Sequence, residues 1–219
     1  MKNLFNFDEC IAKDELIKYD EPWKIVPHIS DIIEATIKKI NINDYNKLGE
    51  NIFIHKTCKV DKTVHIEGPC IICEGTELRH CAFIRGSVLI GKNCVIGNSC
   101  EIKNSIIFNE AQVPHFNYVG DSIVGYRSHL GAGAITSNLK SDKSLVEIKN
   151  GKDVIKTNLD KLGALIGDDV EVGCNSVLNP GTIVGKNTTI YPLSFVRGVI
   201  KENSIFKNAN NIVEKTKKI

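Results

Sequence analysis

Three charged residues recur eighteen positions apart in the middle of the chain: Glu67, Arg85 and Lys103. If the chain winds into a solenoid whose turns each take eighteen residues, these side chains stack on one face, about 4.8 Å apart. Two stacked cations suit the binding of a phosphate group, and Glu67 would offset part of the charge of Arg85. A solvated ladder of charges is an equally direct interpretation, and the spacing alone leaves both open.

A six-residue repeat is the element that would position these side chains. Every sixth residue is large and apolar over ten successive positions, whereas a helix would show spacings of three and four and a half-buried strand would alternate. The fourth residue after each of them is mostly small or slender. This pattern predicts a solenoid of short strands around a narrow, filled interior. The ten large positions are Ile54, Val60, Ile66, Ile72, Leu78, Ile84, Ile90, Ile96, Ile102 and Phe108.

The repeat is interrupted and later restored. Its phase returns in residues 124–136 and again in residues 166–196. Phe108 and Val124 are sixteen residues apart, four more than two repeats, and the segment 114–121 carries the break. In a solenoid such a break predicts either an insertion loop or a functional site.

Two short segments at and after this break resemble a known family. They read His115-Phe-Asn-Tyr118-Val-Gly-Asp and Gly131-Ala-Gly-Ala-Ile-Thr-Ser-Asn138. With the repeat, they resemble the hexapeptide-repeat acyltransferases, in particular the acetyltransferase domain of bifunctional enzymes that acetylate amino-sugar 1-phosphates and transfer nucleotidyl groups to sugar phosphates. The resemblance covers roughly residues 50–200 and implies an all-β fold, a left-handed parallel β-helix. The left hand comes from the family alone, because crossover connections generally prefer the right hand.

The resemblance implies a role for each matching residue. His115 corresponds to the general base of the family. Arg85, Lys103 and Tyr118 correspond to residues that hold the sugar phosphate, which favours the phosphate interpretation of the stacked cations. Asn138 corresponds to an asparagine beside the reacting centre and the acyl donor.

Two more residues are implied as substrate contacts. His129 stands where the bacterial relatives have a substrate-contacting asparagine; histidine still forms hydrogen bonds but is bulkier and titratable, which leaves the sugar open. Residues 137–165 leave the repeat, and Asn150-Gly151 between two β-like runs predicts a hairpin with a type I′ turn. Lys143 is the best match for a loop lysine that contacts the phosphate. A solvent-facing hairpin is the alternative, and a lid or a subunit contact is a common role for such an excursion.

The family implies acetyl-CoA as the co-substrate, a homotrimer, and no metal for acyl transfer. The pantetheine arm of coenzyme A then lies in a groove between subunits. Ala132, Cys174, Tyr191 and Pro192 correspond to positions along that groove. Backbone N–H groups of residues 131–133 are candidates for stabilising the oxyanion.

The eight cysteines of the chain suggest neither disulfides nor a metal site. Cys58, Cys70, Cys94 and Cys100 occupy the small inward position of the repeat, where cysteine serves as a small hydrophobic residue. Cys70 and Cys73 have the spacing of a metal-binding pair, but they fall at different phases of the repeat. No second pair lies at zinc-finger distance.

The repeat divides the chain into three parts. Residues 1–49 are expected to form a helical cap that shields the open end of the solenoid, since apolar residues in 29–40 have helical spacing. Residues 50–201 are the β-helix. Residues 202–219 are expected to be a short helix or a frayed tail.

Composition narrows the function further. The net charge of +2 gives no reason to expect nucleic acid as a partner. No apolar run of membrane-spanning length and no signal peptide are present, so we expect a cytoplasmic protein without a membrane partner. No glycine-rich nucleotide-binding segment precedes the repeat, so we expect no nucleotidyltransferase activity. A nucleotide-linked amino sugar as acceptor, and a non-catalytic trimeric scaffold, remain alternative interpretations.

Overall fold

The protein, described here as a computed structural model of residues 4–216, is a three-sided prism of short parallel strands. Each coil of the chain adds one strand to sheet A, one to sheet B and one to sheet C before the next coil stacks upon it. The predicted β-solenoid is therefore confirmed. The A–B, B–C and C–A edges are the turns through which the chain passes between the sheets.

The strands are short and numerous. In chain order the first thirteen are β1 (Tyr45–Gly49), β2 (Ile52–His55), β3 (Lys59–Val60), β4 (His65–Glu67), β5 (Cys70–Ile72), β6 (Glu77–Leu78), β7 (Phe83–Arg85), β8 (Val88–Ile90), β9 (Val95–Asn98), β10 (Glu101–Lys103), β11 (Ser105–Ile107), β12 (Gln112–His115) and β13 (Tyr118–Gly120). Those that follow are β14 (Ile123–Val124), β15 (His129–Leu130), β16 (Ile135–Thr136), β17 (Val146–Asn150), β18 (Asp153–Leu159), β19 (Ala164–Ile166), β20 (Glu171–Val172), β21 (Val177–Leu178), β22 (Thr182–Val184), β23 (Thr189–Ile190), β24 (Phe195–Val196), β25 (Val199–Ile200), β26 (Ser204–Asn208) and β27 (Asn211–Glu214). Sheet A is ordered β1-β2-β5-β8-β11-β14-β19-β22-β25, sheet B β27-β26-β23-β20-β15-β12-β9-β6-β3, and sheet C β24-β21-β16-β13-β10-β7-β4.

Two kinds of inward side chain fill the interior of the prism, as the repeat predicts. Ile72 and Ile90 pair in adjacent strands of sheet A and are fully buried, and the smaller Cys70 and Val88 pair two residues earlier. Burial of one large aliphatic side chain contributes about 1.5–3 kcal/mol. The stacked aliphatic side chains therefore hold successive coils together.

The register of the repeat differs from the prediction at Phe108. Ile107, not Phe108, pairs with Ile90 and faces the interior. Phe108 points outward and stacks on Phe5, with ring centroids 5.2 Å apart. The predicted inward place of Phe108 is therefore wrong by one residue.

The cause is a shortened turn at the C–A edge, which occurs ahead of β11 and again ahead of β14. Asn104 and Asp121 occupy these turns with φ angles of 44° and 49°. Asparagine and aspartate adopt this left-handed backbone more readily than other non-glycine residues. The two short turns account for the shifted phase. Of the two alternatives for residues 114–121, the insertion loop is therefore wrong, because β12 and β13 continue the coil.

The N-terminal segment lies along the outer face of sheet A rather than over the open end of the solenoid. The expected location is wrong because the strands of sheet A are apolar on both faces. Ile71, Leu89 and Ile106 point outward and are buried against Trp23 and Ile33. Only β1 lies at the end of the sheet, antiparallel to β2. The segment contains α1 (Lys13–Leu16), α2 (Ile29–Ile37) and three 3₁₀ helices at Phe7–Glu9, Pro22–His28 and Ile42–Asp44.

The excursion leaves the prism after Asn138 and returns at Leu162, whose N–H donates to the Asn138 carbonyl at 3.0 Å. It contains the predicted hairpin, β17 antiparallel to β18. Its two-residue loop begins at Gly151 with φ of 61° and follows Asn150, which pairs with Asp153, so the turn has the type II′ pattern instead of type I′. Val146 and Ile148 are buried against sheet A, so the hairpin continues the cover that the N-terminal segment begins.

The C-terminal part is a hairpin, not the expected helix or frayed tail. β26 adds a parallel strand to sheet B and β27 pairs with it in the antiparallel direction. Phe206 continues the inward aliphatic column and is 3% exposed, which explains why the coil pattern extends past residue 201. Residues 217–219 of the expected tail lie outside the described part of the chain. Within residues 4–216, no helix has the length and apolar character needed to cross a bilayer.

The packing of the N-terminal segment on sheet A predicts an asymmetric response to two isoleucine substitutions. Ile33→Ala should lower the free energy of unfolding by about 2–5 kcal/mol, because it removes a fully buried side chain from this interface. Ile17→Ala, at a residue that is 57% exposed, is the matched control and should have little effect. Urea denaturation followed by circular dichroism measures both, and equal shifts in the two variants would contradict the docking.

Candidate active site

Three of the predicted substrate-binding residues lie on the outer face of sheet C. Glu67 in β4 pairs directly with Arg85 in β7. In the next strand of the sheet, β10, Ile102 pairs with Ile84, so Lys103 lies beside Arg85. The stack expected from the eighteen-residue spacing is therefore formed. Lys103 is in turn paired with Gly120 in β13, the strand that begins with Tyr118.

Each cation of this stack has a carboxylate partner. Arg85 Nη1 lies 2.7 Å from Glu101 Oε1, and this hydrogen bond raises the pKa of the Arg85 guanidinium above its ordinary value. Glu67 makes its closest charged contact with the His65 ring at 3.6 Å, but its negative charge also contributes to the raised pKa of Arg85, as expected. Lys103 Nζ lies 3.1 Å from Asp121 Oδ2, and the side chains of this pair are only 22% and 5% exposed. The Arg85 pair is solvent-exposed, whereas the Lys103 pair is largely withdrawn from water.

Asp121 joins several of these residues, and we did not predict it as a site residue. Besides Lys103, its carboxylate accepts hydrogen bonds from Asn104 Nδ2 at 2.8 Å and from Asn138 Nδ2. Asn104 also donates to the Val26 carbonyl at 3.3 Å, which ties this edge to the N-terminal segment. The sequence signal was present in the Val-Gly-Asp end of the first motif, but an aspartate after glycine is also an ordinary turn residue.

Tyr118 folds over the strand that carries it. Its hydroxyl accepts a hydrogen bond from Asn138 Nδ2 at 3.2 Å. A Cβ at Gly120 would overlap the Tyr118 ring, so glycine at that position permits this orientation. Burial, followed by the nearby charges of Asp121 and Glu101, raises the pKa of Tyr118. The hydroxyl therefore keeps its proton and is able to donate it in a hydrogen bond to a ligand.

His115 lies at the B–C edge with its side chain exposed. Its backbone is held on both sides: the N–H donates to Asn117 Oδ1 at 3.0 Å, and the carbonyl accepts from Gly133 N at 3.0 Å. Asn117 is buried inside the prism and also donates to the Gly131 carbonyl at 2.8 Å. Asn117 is a second residue that sequence reasoning missed, because it occupies a position that small apolar residues usually fill.

The residues predicted to hold coenzyme A continue the column in which His115 lies. Gly133 N donates to the His115 carbonyl, Asn175 N to the Ala132 carbonyl at 2.8 Å, and Leu193 N to the Cys174 carbonyl at 2.9 Å. Successive coils therefore place His115, Ala132, Cys174 and Pro192 one above another along the B–C edge, about 4.8 Å apart. Tyr191 precedes Pro192 and is 42% exposed.

Two predicted substrate contacts lie apart from this arrangement. His129 is in sheet B, with Nδ1 3.0 Å from Glu171 Oε2, and it pairs with Gln112 rather than with the edge residue His115. Lys143 is exposed in the excursion, where its backbone N–H donates to the Lys140 carbonyl. No ion pair within residues 4–216 joins the Lys143 side chain to Asp121.

Cys70 and Cys73, the two cysteines with metal-type spacing, face opposite sides of sheet A. Cys70 faces the interior of the prism, and Cys73 faces the N-terminal segment. Burial raises the pKa of Cys70 and of the neighbouring Cys10 to about 12, so these thiols stay protonated. Within the described part of the chain, no three histidine, cysteine or carboxylate side chains group closely enough to hold a metal ion.

Comparison with known proteins identifies the family. A model of the GMPPB C-terminal domain matches residues 66–159, and a model of six bacterial transferase hexapeptide repeats matches residues 163–198. The putative uncharacterized acetyltransferase YaiX of Escherichia coli K12 is 31% identical over 183 residues, which cover 78% of this chain and 80% of YaiX. The chain belongs to the hexapeptide-repeat acyltransferases. The family resemblance inferred from the motifs is thereby confirmed, and the left-handed course of the β-helix is that of the family.

Longer relatives of this acyltransferase chain are bifunctional proteins. The bifunctional protein GlmU of Methanococcus aeolicus is 33% identical over 219 residues, which cover 85% of this chain and 53% of GlmU. The bifunctional sugar-1-phosphate nucleotidylyltransferase/acetyltransferase of Sulfurisphaera tokodaii is 30% identical over 221 residues, covering 90% of this chain and 52% of that protein. The chain thus spans about half the length of these relatives.

Proposed function

We propose that this acyltransferase moves an acetyl group from acetyl-CoA to the amine of an amino-sugar phosphate. The observation that carries the proposal is the placement of two residue groups at the two ends of one short strand. β13 begins three residues after His115 at the B–C edge and ends at Gly120, beside the Lys103–Asp121 pair of the C–A edge. In this proposal the phosphate of the acceptor meets the C–A edge and its amine faces the B–C edge.

His115 is the general base of the proposed reaction. The amine nitrogen attacks the thioester carbonyl carbon while the imidazole takes a proton from it. The C–S bond of the resulting intermediate then breaks, and coenzyme A leaves as a thiol after receiving that proton. The fixed backbone and exposed ring of His115 suit this role, because the residue is anchored to the prism while its ring is open to a ligand.

Arg85, Lys103 and Tyr118 hold the sugar phosphate. The exposed pair between Arg85 and Glu101 contributes little stability, so the guanidinium can exchange this carboxylate for a phosphate at small cost. Lys103 has three N–H donors, of which the Asp121 carboxylate does not use all. Orientation of the acceptor by these contacts turns a bimolecular encounter into a positioned one. His129 and Lys143 remain proposed contacts of the sugar phosphate. They reach it only when a substrate is bound or when they are supplied by a partner subunit.

The acyl donor lies along the B–C edge, past Ala132, Cys174, Tyr191 and Pro192. Gly131 N donates to the Val172 carbonyl at 2.7 Å, and Gly133 N donates to His115. The N–H of Ala132 has no backbone acceptor within residues 4–216. We therefore assign the oxyanion contact to Ala132, which lies one coil above His115.

A homotrimer completes the site in this proposal. Three strongly exposed apolar side chains lie on sheet C and the B–C edge: Phe116 is 61% exposed, Leu193 79% and Phe195 65%. Their exposure around an open candidate site supports a subunit contact at this edge, since patches of this kind mark interaction surfaces.

The decisive experiment is a coenzyme A release assay over a panel of amino-sugar phosphates and nucleotide-linked amino sugars. We expect an amino-sugar phosphate to be the best acceptor, and His115→Ala to lower kcat by roughly 10²–10⁴-fold. The rate of the wild type should fall toward acidic pH, because imidazolium cannot accept a proton. His28→Ala is the matched control, since that histidine is 52% exposed on the N-terminal segment.

Three results would count against this assignment. Preference for a nucleotide-linked sugar would change the acceptor, and no release with any acceptor would support a scaffold. An acidic limb that persists in His115→Ala but disappears in His129→Asn would show that the base is misassigned.

Binding of coenzyme A along the B–C edge predicts selective protection of one thiol. Cys174 and Cys81 are both exposed, but only Cys174 lies in the proposed groove. Coenzyme A at ten times its Kd should slow alkylation of Cys174 by iodoacetamide about tenfold, following site occupancy. Cys81 should react at an unchanged rate, and mass spectrometry after timed quenching measures both. Equal protection of the two thiols would contradict the groove.

The proposed trimer predicts the mass of the particle in solution. Light scattering should give three times the 24.2 kDa of one chain. Leu193→Asp should shift this mass toward the monomer, because it places a charge in the proposed contact. Leu48→Asp is the control: Leu48 is 65% exposed, but it lies in β1 at the opposite end of the prism. A monodisperse wild-type monomer would overturn the shared site.

A further inference from the structure

Asp121 is a buried carboxylate that the proposed reaction does not use directly. Its side chain is 5% exposed and sits at the C–A edge, immediately after Gly120, in left-handed backbone. Burial of a charged group is costly unless it is paired and hydrogen-bonded. The partners that compensate this cost therefore indicate what the residue does.

The partners of the Asp121 carboxylate are side chains that come from two other coils. Lys103 Nζ lies 3.1 and 3.3 Å from its two oxygens, and Asn104 Nδ2 donates at 2.8 Å. Asn138 Nδ2, from the coil above, donates to the second oxygen. The carboxylate thus connects a proposed phosphate-binding residue with the asparagine of the second motif.

A second buried carboxylate provides a contrast. Asp168 at the A–B edge has a side chain that is 4% exposed, and it also pairs with a lysine, Lys186, at 2.8 Å. Its other partners are backbone N–H groups, those of Asn6 at 2.7 Å and Tyr126 at 3.0 Å. Asp168 therefore fixes the path of the chain, whereas Asp121 fixes the orientation of side chains.

The contacts of Asn138 determine which way its amide faces. A carboxylate paired with an ammonium group only accepts hydrogen bonds, so the atom of Asn138 that meets Asp121 must be nitrogen. The same nitrogen donates to the Tyr118 hydroxyl at 3.2 Å. Both N–H groups are therefore used, and the Asn138 Oδ1 is left to meet a ligand. This oxygen accepts hydrogen bonds and cannot donate them.

We propose that Asp121 is the positioning residue of the acceptor site, holding Lys103 and Asn138 as one unit. In this arrangement the anionic group of a ligand meets the Lys103 ammonium while a donor group, an amine or a hydroxyl, meets Asn138 Oδ1. This inference rests on the proposed function, and it narrows the acceptor to a molecule that carries an anion and a hydrogen-bond donor. A ligand that offers only acceptors at the second position is disfavoured, because it would cover Asn138 Oδ1 and leave that oxygen unpaired.

The first test uses Asp121→Asn and needs no substrate. Asparagine tolerates the left-handed backbone at this position, so the turn is kept while the charge and one acceptor are lost. We expect the side-chain NH₂ signal of Asn138, assigned by its loss in Asn138→Ala, to exchange with water at least tenfold faster in Asp121→Asn. Asp168→Asn, which removes a comparably buried carboxylate, should leave this signal unchanged. An unchanged Asn138 signal in Asp121→Asn would overturn the inference.

The second test is kinetic. Asp121→Asn should lower kcat/KM for the best amino-sugar phosphate on the order of 10²-fold, with effects on KM through Lys103 and on kcat through Asn138. The double variant Asp121→Asn/Asn138→Ala should have a kcat no lower than that of Asn138→Ala, because the two residues act together. Additive losses, or an equal loss in Asp168→Asn, would show that Asp121 supports the fold alone. Absence of coenzyme A release by the wild type would overturn the proposed function, while the Asn138 signal would still decide the positioning role.

Discussion

The hydrogen bonds between successive coils are the constraint on which the rest of the structure depends. Each coil passes once around the prism, and its strands pair in parallel with those of the coils above and below. Residues at the same edge of successive coils therefore form one column along the prism. His115, Ala132 and Cys174 occupy such a column because Gly133 N and Asn175 N bond to the carbonyls of the preceding coil. The geometry of the candidate site is thus a property of the ladder, not of any one loop. It depends on the turns at the edges, where residues in left-handed backbone let the chain change direction without breaking the pairing.

The three sheets are not equivalent, and sheet A is covered by other segments of the chain whereas sheet C is exposed. Sheet A is apolar on its outer face, and α2 and the hairpin β17–β18 bury that face. Parallel sheets are normally covered in this way because both of their faces are apolar. Sheet C has charged and polar residues beside exposed aromatic ones, and no segment of residues 4–216 covers Phe195 or Leu193. The N-terminal segment also contacts the candidate site, because Asn104 donates hydrogen bonds both to the Val26 carbonyl and to Asp121.

Strict periodicity explains what could be predicted from the sequence and what could not. The alignment of Glu67, Arg85 and Lys103 was predictable because the coils between them keep eighteen residues. The predicted position of Phe108 was wrong because the turn at Asn104 is one residue shorter than that of the preceding coil. The spacing of apolar residues does not reveal such a turn when the residue after the true inward position is also apolar. The place of the N-terminal segment depends on the outward residues of sheet A, such as Ile71 and Leu89, which are apolar between two inward positions and so do not alter the six-residue phase.

The polar residues that hold the site were missed for a related reason. Asn117 occupies an inward position and Asp121 a turn, where either residue type is compatible with an ordinary structural role. Their importance comes from partners supplied by neighbouring coils. Asn117 reaches the Gly131 carbonyl fourteen residues later, and Asp121 reaches Lys103 eighteen residues earlier. Only the stacked structure brings these groups within hydrogen-bond distance, so a single linear motif contains the residues but not the connection between them.

The pairing of each cation with a carboxylate has a consequence for how a ligand is selected. A face with two free cations would attract any anion, whereas here the positive charges of Arg85 and Lys103 are balanced by Glu101 and Asp121. The two pairs differ in exposure, so they differ in the ease of exchange: the exposed Arg85 pair costs little to open, and the buried Lys103 pair costs more because Asp121 would lose its counter-charge in a partly dry site. Under the proposed function, Arg85 is therefore suited to capture and release of the phosphate, and Lys103 to holding it at a fixed position. In that proposal, selectivity depends on simultaneous contact with both edges of sheet C and not on charge attraction alone.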